Sequence, residues 1–376
     1  MNTFSPNHQK RYLELDALRG IAALFVVLFH YSLHYKELPV FSIFRFGITG
    51  VDLFFLISGF VIFQSISAVK SGTEFLINRL TRLYPTYWVA VTFTFFVIFF
   101  TNRVVLGYNY SPQWGDYWCN MTMFQYYIGV DDLDGPYWTM ITEMVFYLIM
   151  FVLLVTRLIR FTIPLFILML ASTVIVSWFY KDSGGEFYWD YKFNFPLSQY
   201  LPLFFGGIAF YKITVEKTRQ WRYYLLIVIC YLTQYMFYEY VGRLNGFISH
   251  AEYKLILAIY FTLFFLFAFG KLKWLVNPVT VFLGKISFPL YLIHQFFSIN
   301  FMIPKLMKIG VNYYVAAYLV ALPICILVAS FITFTVERRF SPLLRKWLSF
   351  FFLERLPEVF NKIGLYKRLK VLLERF

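Results

Sequence analysis

Long apolar runs separated by short polar stretches dominate the amino-acid sequence. A helix needs about 20 predominantly apolar residues to cross the hydrocarbon core of a bilayer. Runs of that length predict ten spans, near residues 13–34, 48–67, 83–101, 137–156, 161–180, 197–212, 222–240, 253–270, 280–303 and 312–336. A shorter apolar segment, Tyr117–Val130, is typical of an interfacial or re-entrant helix. The pattern predicts an all-α, polytopic integral membrane protein with about ten transmembrane helices.

The composition agrees with a membrane location. Hydrophobic residues make up 60% of the 376 residues and charged residues 14%, whereas about a quarter of the residues in a soluble domain are charged. One aqueous core cannot bury this apolar surplus, so the lipid bilayer is the expected surrounding of the chain. The three cysteines are scattered without paired spacing and indicate neither a disulfide nor a metal site.

The net charge of +14 indicates the orientation of the chain in the membrane rather than nucleic-acid binding. Most basic residues lie between apolar runs on the side that both termini share, which predicts that both termini are cytoplasmic. From Ser341 to Phe376, Lys and Arg are mixed with Leu, Phe and Trp. We therefore divide the chain into a transmembrane domain, 1–340, and a basic amphipathic cytoplasmic tail, 341–376, which either lies on anionic lipid or is solvated.

Ionisable residues inside the predicted spans are the candidates for chemistry. Each costs roughly 2.5–3.5 kcal/mol on membrane-insertion scales, so each needs a partner or a function. Arg19 and His30 lie eleven residues apart in the first span, which returns them to nearly the same helix face, about 16 Å apart. Asp16 lies one turn before Arg19 and can pair with it. Alternatively, Asp16 and Arg19 extend to one membrane edge while His30 caps the other.

The remaining polar residues sort by depth into two layers. The layer nearer the cytoplasm is basic and suits a phosphorylated ligand; its members are Arg19, Arg79, Arg82 and Lys285, with Glu337 at the same level. The opposite layer combines imidazoles with carboxylates and suits proton abstraction from a hydroxyl; its members are His30, Asp52, Glu143 and His294.

Each of these residues also has a purely structural interpretation. Arg79 and Arg82 can be positive-inside anchors, Asp52 a helix cap, and Glu143 a buried hydrogen-bond partner. Ser287, Tyr291 and His294 share a helix face and can form a packing seam. His30 and His34 have the spacing of zinc ligands, but no convincing third ligand accompanies them, so we expect no metal.

Five segments resemble the motifs of the membrane-bound acyltransferase-3 family, which O-acylates cell-envelope glycans. In chain order they are LRGIAALFVVLFHY, with its Arg-x10-His spacing, GVDLFFLISGF (Gly50–Phe60), RLTRLYPTYW (Arg79–Trp88), PYWTMITEMVFY (Pro136–Tyr147) and GKISFPLYLIHQ (Gly284–Gln295). Thr139, Met140 and Phe288 stand where the family usually has Ser, Leu and Tyr. One such motif is weak, but five in order over residues 10–340 are specific.

The resemblance implies a multi-pass enzyme of the bacterial inner membrane that transfers acyl groups other than amino-acyl groups. It implies acyl-CoA, by default acetyl-CoA, as co-substrate without a bound cofactor. The implied acceptor is a sugar hydroxyl of an envelope or exported glycan, such as lipopolysaccharide or exopolysaccharide, or of a glycolipid. Longer members append an extracytoplasmic SGNH-type domain; from the chain length we expect the short form.

Together these patterns lead to one mechanistic hypothesis. We expect the acceptor substrate or the donor to be bound by Arg19, Arg79, Arg82, Lys285, Ser287, Tyr291 and His294, of which the four basic residues hold the phosphates of acyl-CoA. His30 is the expected general base, with Glu143 or Asp52 orienting its imidazole; a transient acyl-histidine is a competing version. The rival function is a transporter or flippase of a glycan or lipid-linked sugar, in which the polar residues line a permeation path.

Overall fold

The fold is helical throughout the residues that the structure describes. The structure is a computed structural model, and the described residues are 11–33, 39–100, 112–180, 186–218, 220–239 and 244–356. In these ranges there is no strand, so the all-α prediction is confirmed.

Within the described ranges the chain forms sixteen α-helices: α1 (Leu13–Ser32), α2 (Pro39–Phe44), α3 (Gly50–Ile66), α4 (Gly72–Phe100), α5 (Trp114–Met121), α6 (Gln125–Ile128), α7 (Trp138–Val155), α8 (Thr162–Tyr180), α9 (Glu186–Asn194), α10 (Leu201–Thr214), α11 (Trp221–Met236), α12 (His250–Ala268), α13 (Pro278–Gln295), α14 (Ile303–Lys308), α15 (Leu322–Ile332) and α16 (Ser341–Ser349). π-Helical stretches follow α13, flank α15 and follow α16; they are Phe296–Met302, Val315–Ala321, Thr333–Phe340 and Phe350–Arg355.

Seven helical segments of the described chain are long and apolar enough to cross a membrane. They are Pro39–Ile66, Gly72–Phe100, Gly135–Val155, Ile159–Phe179, His250–Ala268, Pro278–Lys308 and Val315–Arg355. The other three predicted spans also coincide with helices, α1, α10 and α11, but α10 and α11 have 14 and 16 residues, short for a core of about 30 Å. The count of ten and the cytoplasmic location of both termini stay predictions.

Two segments differ from the predicted boundaries. The helix α4 begins at Gly72 rather than near 83, because Ser71 Oγ accepts the Glu74 backbone N–H at 3.1 Å and caps it. The segment Tyr117–Val130 forms two short helices instead of one, since Met123 adopts a left-handed φ of 64°.

The division of the chain into 1–340 and a cytoplasmic tail, 341–376, stays a prediction. The helical segment Val315–Arg355 runs without interruption across that boundary. Residues 357–376, the rest of the predicted tail, lie outside the described residues.

The helices α1 and α13 make the most extensive contact between helices in the described chain. Gly20 of α1 lies against the backbone of Leu283 and Gly284, and Gly284 lies against the Asp16 carbonyl. Glycine pairs of this kind let two membrane helices approach until their backbones touch. A second contact of the same type, between Gly59 of α3 and Phe204, joins α3 to α10. The contact between Gly20 and Gly284 fixes the register of α1 relative to α13.

Gly284→Ala tests this contact. We expect the free energy of unfolding to fall by about 1–3 kcal/mol, because the added methyl group would collide with the Asp16 carbonyl oxygen. Thermal unfolding of the purified protein in detergent measures the change. Gly115→Ala is the matched control, because a methyl group there would meet nothing within 4 Å. If Gly284→Ala were as stable as Gly115→Ala, the two backbones would not be in contact.

Candidate active site

Three cavities lie in a row between the helices. We call the first the arginine cavity; it has about 750 Å³ and its polar lining consists of Arg11, Asp16, Arg19, Gln64, Arg79, Arg82, Lys285, Thr333, Glu337 and Arg338, with the hydroxyl of Tyr12. The middle cavity has about 80 Å³ and its lining includes Phe54, Phe55, Ser58, Thr139, Met140, Glu143, Tyr147 and Ser287. The histidine cavity has about 340 Å³ and its lining includes His30, Asp52, Trp138, Tyr200, Phe247 and Gln295.

Neighbouring cavities share lining residues. Arg19, Arg79 and Arg82 line both the arginine cavity and the middle cavity. Tyr291 and Val51 line both the middle cavity and the histidine cavity. The three cavities therefore follow one path along α1, with Arg19 near one end and His30 near the other.

The arginine cavity brings together the four predicted basic residues, Arg19, Arg79, Arg82 and Lys285. Arg79 is buried, with 7% of its surface exposed, and its guanidinium lies 5.8 Å from the Phe75 ring and 5.9 Å from the Tyr147 ring. Its Nε and Nη1 atoms have no hydrogen-bond partner among the described residues. A buried guanidinium with unused donors at a cavity wall suits a phosphate group.

Asp16 partly neutralises this cavity. Its carboxylate accepts a hydrogen bond from Arg11 Nε at 2.6 Å and lies 3.6 Å from Arg19 Nη1. The predicted Asp16–Arg19 pair therefore forms, but Asp16 is shared with Arg11. Four further cations, Arg79, Arg82, Lys285 and Arg338, line the same cavity against one further carboxylate, Glu337. The cavity therefore remains predominantly basic.

Glu143 lies among the arginines and not beside His30. It lines the middle cavity with Arg79 and Arg82, and its Oε1 atom accepts from Tyr147 OH at 2.5 Å and faces Ser58 Oγ at 3.4 Å. The depth predicted for it was wrong although the start of the span was predicted to within one residue. Trp138 lines the histidine cavity, but Glu143, five residues later, lies about 7.5 Å further along α7, where the arginines of α4 line the middle cavity with it.

Asp52 does line the histidine cavity together with His30. It is buried, and its Oδ2 atom accepts a hydrogen bond from Tyr253 OH at 2.8 Å. Tyr253 OH in turn accepts from Gln234 Nε2 at 3.1 Å. This network fixes the Asp52 carboxylate to α12.

His30 and His294 are hydrogen-bonded to each other. His30 Nδ1 lies 3.1 Å from His294 Nε2, and the ring centres are 4.9 Å apart. Each ring also contacts a carbonyl of its own helix: His30 Nδ1 lies 2.9 Å from Val26 O, and His294 Nδ1 lies 2.7 Å from Tyr291 O. His294, which the sequence analysis placed in the same layer as His30 and among the substrate- or donor-binding residues, thus lies against the predicted base. His34 lies outside the described residues.

Asp134 is a site residue that the sequence analysis did not select. It is buried, and its carboxylate accepts the Gly135 N–H at 2.8 Å and the Phe296 N–H at 3.1 and 3.2 Å. Phe296 is where α13 changes to a π-helix, directly after His294 and Gln295. The Asp-Gly-Pro sequence before α7, typical of a helix start, was the available signal.

Comparison with known proteins identifies the chain. A family model described as "Acyltransferase domain" matches residues 12–330. The chain belongs to the acyltransferase-3 family. The match includes all five motif segments, so this protein is an acyltransferase of the class that transfers groups other than amino-acyl groups.

Individual relatives agree with the family assignment. The acyltransferase is 26% identical, over 78% of its length and 84% of the relative, to a protein of Acidianus two-tailed virus with a provisional acetyltransferase name, ORF330. It is 35% identical to protein 2 in the picA locus of Rhizobium radiobacter over 27% of its own length and 53% of the relative. It is 28% identical to nodulation protein 10 of Rhizobium leguminosarum bv. viciae over 39% of its own length and 44% of the relative. No solved structure matches the chain.

Replacement of Asp134 tests its structural role in the acyltransferase. Asp134→Ala leaves the backbone N–H groups of Gly135 and Phe296 without their acceptor, so we expect a loss of about 1–3 kcal/mol in stability. Asp134→Asn retains the Oδ1 atom that accepts from both and is expected to lose much less. Thermal unfolding measures both variants; equal losses for Ala and Asn would show that these two hydrogen bonds do not stabilise the site.

Proposed function

We propose that this acyltransferase transfers an acyl group, by default acetyl, from acyl-CoA in the arginine cavity to a sugar hydroxyl in the histidine cavity. The observation that carries the proposal is the row of three cavities, with unused Arg79 donors at one end and His30 at the other. The arginine cavity faces the cytoplasm in this proposal, and the membrane is the bacterial inner membrane.

The charges of the arginine cavity support the donor assignment. Coenzyme A carries a phosphomonoester and a pyrophosphate, and guanidinium groups bind such oxygens through parallel hydrogen bonds. Arg79 supplies the buried contact, and Arg19, Arg82 and Lys285 supply further positive charge. Of the other predicted donor residues, Ser287 and Tyr291 line the middle cavity.

The dimensions of the path support delivery of the thioester to His30. Arg19 and His30 are separated by about 16 Å along α1, a distance comparable to an extended pantetheine arm. That arm is slender and uncharged, and the middle cavity is small, about 80 Å³, with apolar walls from Phe54, Phe55 and Met140. Ser58 and Glu143 offer hydrogen-bond partners for the amides of the arm.

His30 then acts as general base in the histidine cavity. Its imidazole takes the proton of the acceptor hydroxyl while the hydroxyl oxygen attacks the thioester carbonyl. The carbon–sulfur bond breaks, and the imidazolium returns the proton to the sulfur of coenzyme A. Asp52 lines the same cavity and orients the acceptor rather than the imidazole, because its carboxylate is held by Tyr253.

The lining of the histidine cavity supports a sugar as acceptor. The Trp138 and Tyr200 rings have centres 5.5 Å apart and line the cavity beside Asp52 and Gln295. Aromatic faces with a few polar groups suit a sugar ring, whose C–H faces are apolar and whose edges carry hydroxyls. The expected acceptor is an envelope or exported polysaccharide or a glycolipid. The acetyltransferase name of the viral relative favours acetyl as the acyl group.

Arg79→Ala tests the donor site. We expect KM for acetyl-CoA to rise roughly 10-fold to 100-fold, because a hydrogen bond to a charged group contributes about 1.5–3 kcal/mol. With S-acetylpantetheine, which lacks the phosphates, the variant and the wild type should react equally. Steady-state transfer of radiolabelled acetyl groups by protein in nanodiscs measures both donors.

Arg160→Ala is the matched control, since Arg160 is exposed and lines none of the three cavities. An unchanged KM for acetyl-CoA in Arg79→Ala would exclude the arginine cavity as the phosphate site.

His30→Ala tests the chemistry. We expect it to abolish transfer while the protein still inserts and folds, because the general base is lost. Mass spectrometry of envelope glycans from cells with wild-type protein, with His30→Ala and without the gene measures the acyl group directly. A mass shift in the wild type alone supports the enzyme; a transporter or flippase would change the amount or location of the glycan without changing its mass. Normal acylation by His30→Ala would contradict the base assignment.

A further inference from the structure

We propose that His294 is a positioning residue that holds His30 in the tautomer needed for a general base, in the role that a carboxylate has in other catalytic triads. This inference rests on the proposed function of His30 and goes beyond it. It also replaces the predicted orienting carboxylates, since Glu143 lines the middle cavity and Asp52 is bonded to Tyr253.

The Tyr291 carbonyl determines the protonation of His294. His294 Nδ1 lies 2.7 Å from that oxygen, and a carbonyl oxygen can only accept a hydrogen bond. The proton of His294 therefore lies on Nδ1. Because the residue is fully buried in α13, the neutral ring is favoured, and its Nε2 atom carries a lone pair.

The Val26 carbonyl determines the protonation of His30 in the same way. His30 Nδ1 lies 2.9 Å from Val26 O and 3.1 Å from His294 Nε2. Both neighbours are acceptors, so one N–H group on His30 Nδ1 is shared between them as a three-centre hydrogen bond. In the neutral ring the lone pair of His30 must then lie on Nε2, which is the atom that takes the acceptor proton.

His294 also stabilises the charged form of His30. When His30 receives a proton at Nε2, its Nδ1–H becomes a stronger donor and its bond to the His294 lone pair strengthens. Val26 O lies on the same helix as His30 and shares the contact, but His294 approaches from α13, so it also fixes the ring plane. The backbone contact of Gly20 with Gly284 and the Asp134 bond to Phe296 hold α13 in place for this contact.

Replacement of His294 by residues of graded reach tests the inference. Gln reaches the position of Nε2 and can accept from His30 Nδ1; Asn is shorter, and Leu cannot accept. We expect His294→Leu and His294→Asn to lower kcat about tenfold or more, while KM for acetyl-CoA stays within about twofold of wild type. His294→Gln should retain most of kcat. Each protein is compared at matched folded concentration, judged by thermal unfolding.

Three outcomes would overturn the inference. They are a normal kcat in His294→Leu, equal losses in His294→Gln and His294→Asn, or a raised KM for acetyl-CoA at normal kcat, which would return His294 to the donor site. These results can be told apart from failure of the proposed function. A fully active His30→Ala variant would contradict the assignment of His30 as general base. An inactive His30→Ala variant together with a normal His294→Leu variant would contradict only the role of His294.

Nitrogen-15 spectra of the wild-type protein labelled at histidine give a second measurement that needs no folded Leu or Asn variant. We expect both His30 and His294, in their neutral forms, to carry the proton on Nδ1 and none on Nε2. The variants His294→Gln and His30→Gln assign the signals. A His30 protonated at Nε2 in the neutral state would overturn the inference.

Discussion

The backbone contact between α1 and α13 determines where the functional side chains meet. Gly20 and Gly284 let the two helices touch, and from that point each helix carries its residues along the same path. On α1, Arg19 lies next to the contact and His30 three turns away; on α13, Lys285 and His294 lie at corresponding positions. Any side chain at Gly20 or Gly284 would push α1 and α13 apart. Arg19 would then move away from Lys285 and His30 from His294, so the same contact determines both the stability of the helix pair and the geometry of the site.

Burial of charge sets the second constraint. Ionisable groups within a membrane are tolerated where they face water-filled cavities or one another, and the structure uses both solutions. Arg82 and Lys285 are exposed to the arginine cavity, and Asp16 is shared by Arg11 and Arg19. Arg79 is the exception, since it is buried with unused donors. Such an unpaired buried cation destabilises the protein when no ligand is bound. It also binds an anionic ligand strongly, because little water competes for its hydrogen-bond donors.

Local sequence patterns predicted the features that depend on one helix or on depth in the membrane, and failed for those that depend on how two segments pack against each other. The helical spans follow from apolar runs, and the shared face of Arg19 and His30 follows from a period of 3.6 residues. The gathering of Arg79, Arg82 and Lys285 followed from depth alone. Glu143 was misplaced because the cavity that it lines depends on how α7 packs against α4, which carries Arg79 and Arg82. The His30–His294 bond was missed because it depends on the rotation of α13 about its axis. Asp134 was missed because its partner, the Phe296 N–H, is supplied by a distant segment.

The small volume of the middle cavity favours the proposed acyl transfer over transport of a whole glycan, the two functions that the polar residues alone left open. A transporter of a glycan needs a passage that at some stage admits a sugar ring, and its binding site lies where the helices can separate. Here the smallest of the three cavities has about 80 Å³, room for a few water molecules, and Arg19, next to Gly20 in the chain, lines it. A thin acyl-bearing arm can enter such a passage from one side and leave by the same side without the helices parting. The geometry therefore suits transfer of an acyl group from a donor bound in one cavity to an acceptor bound in another, without either molecule crossing the protein.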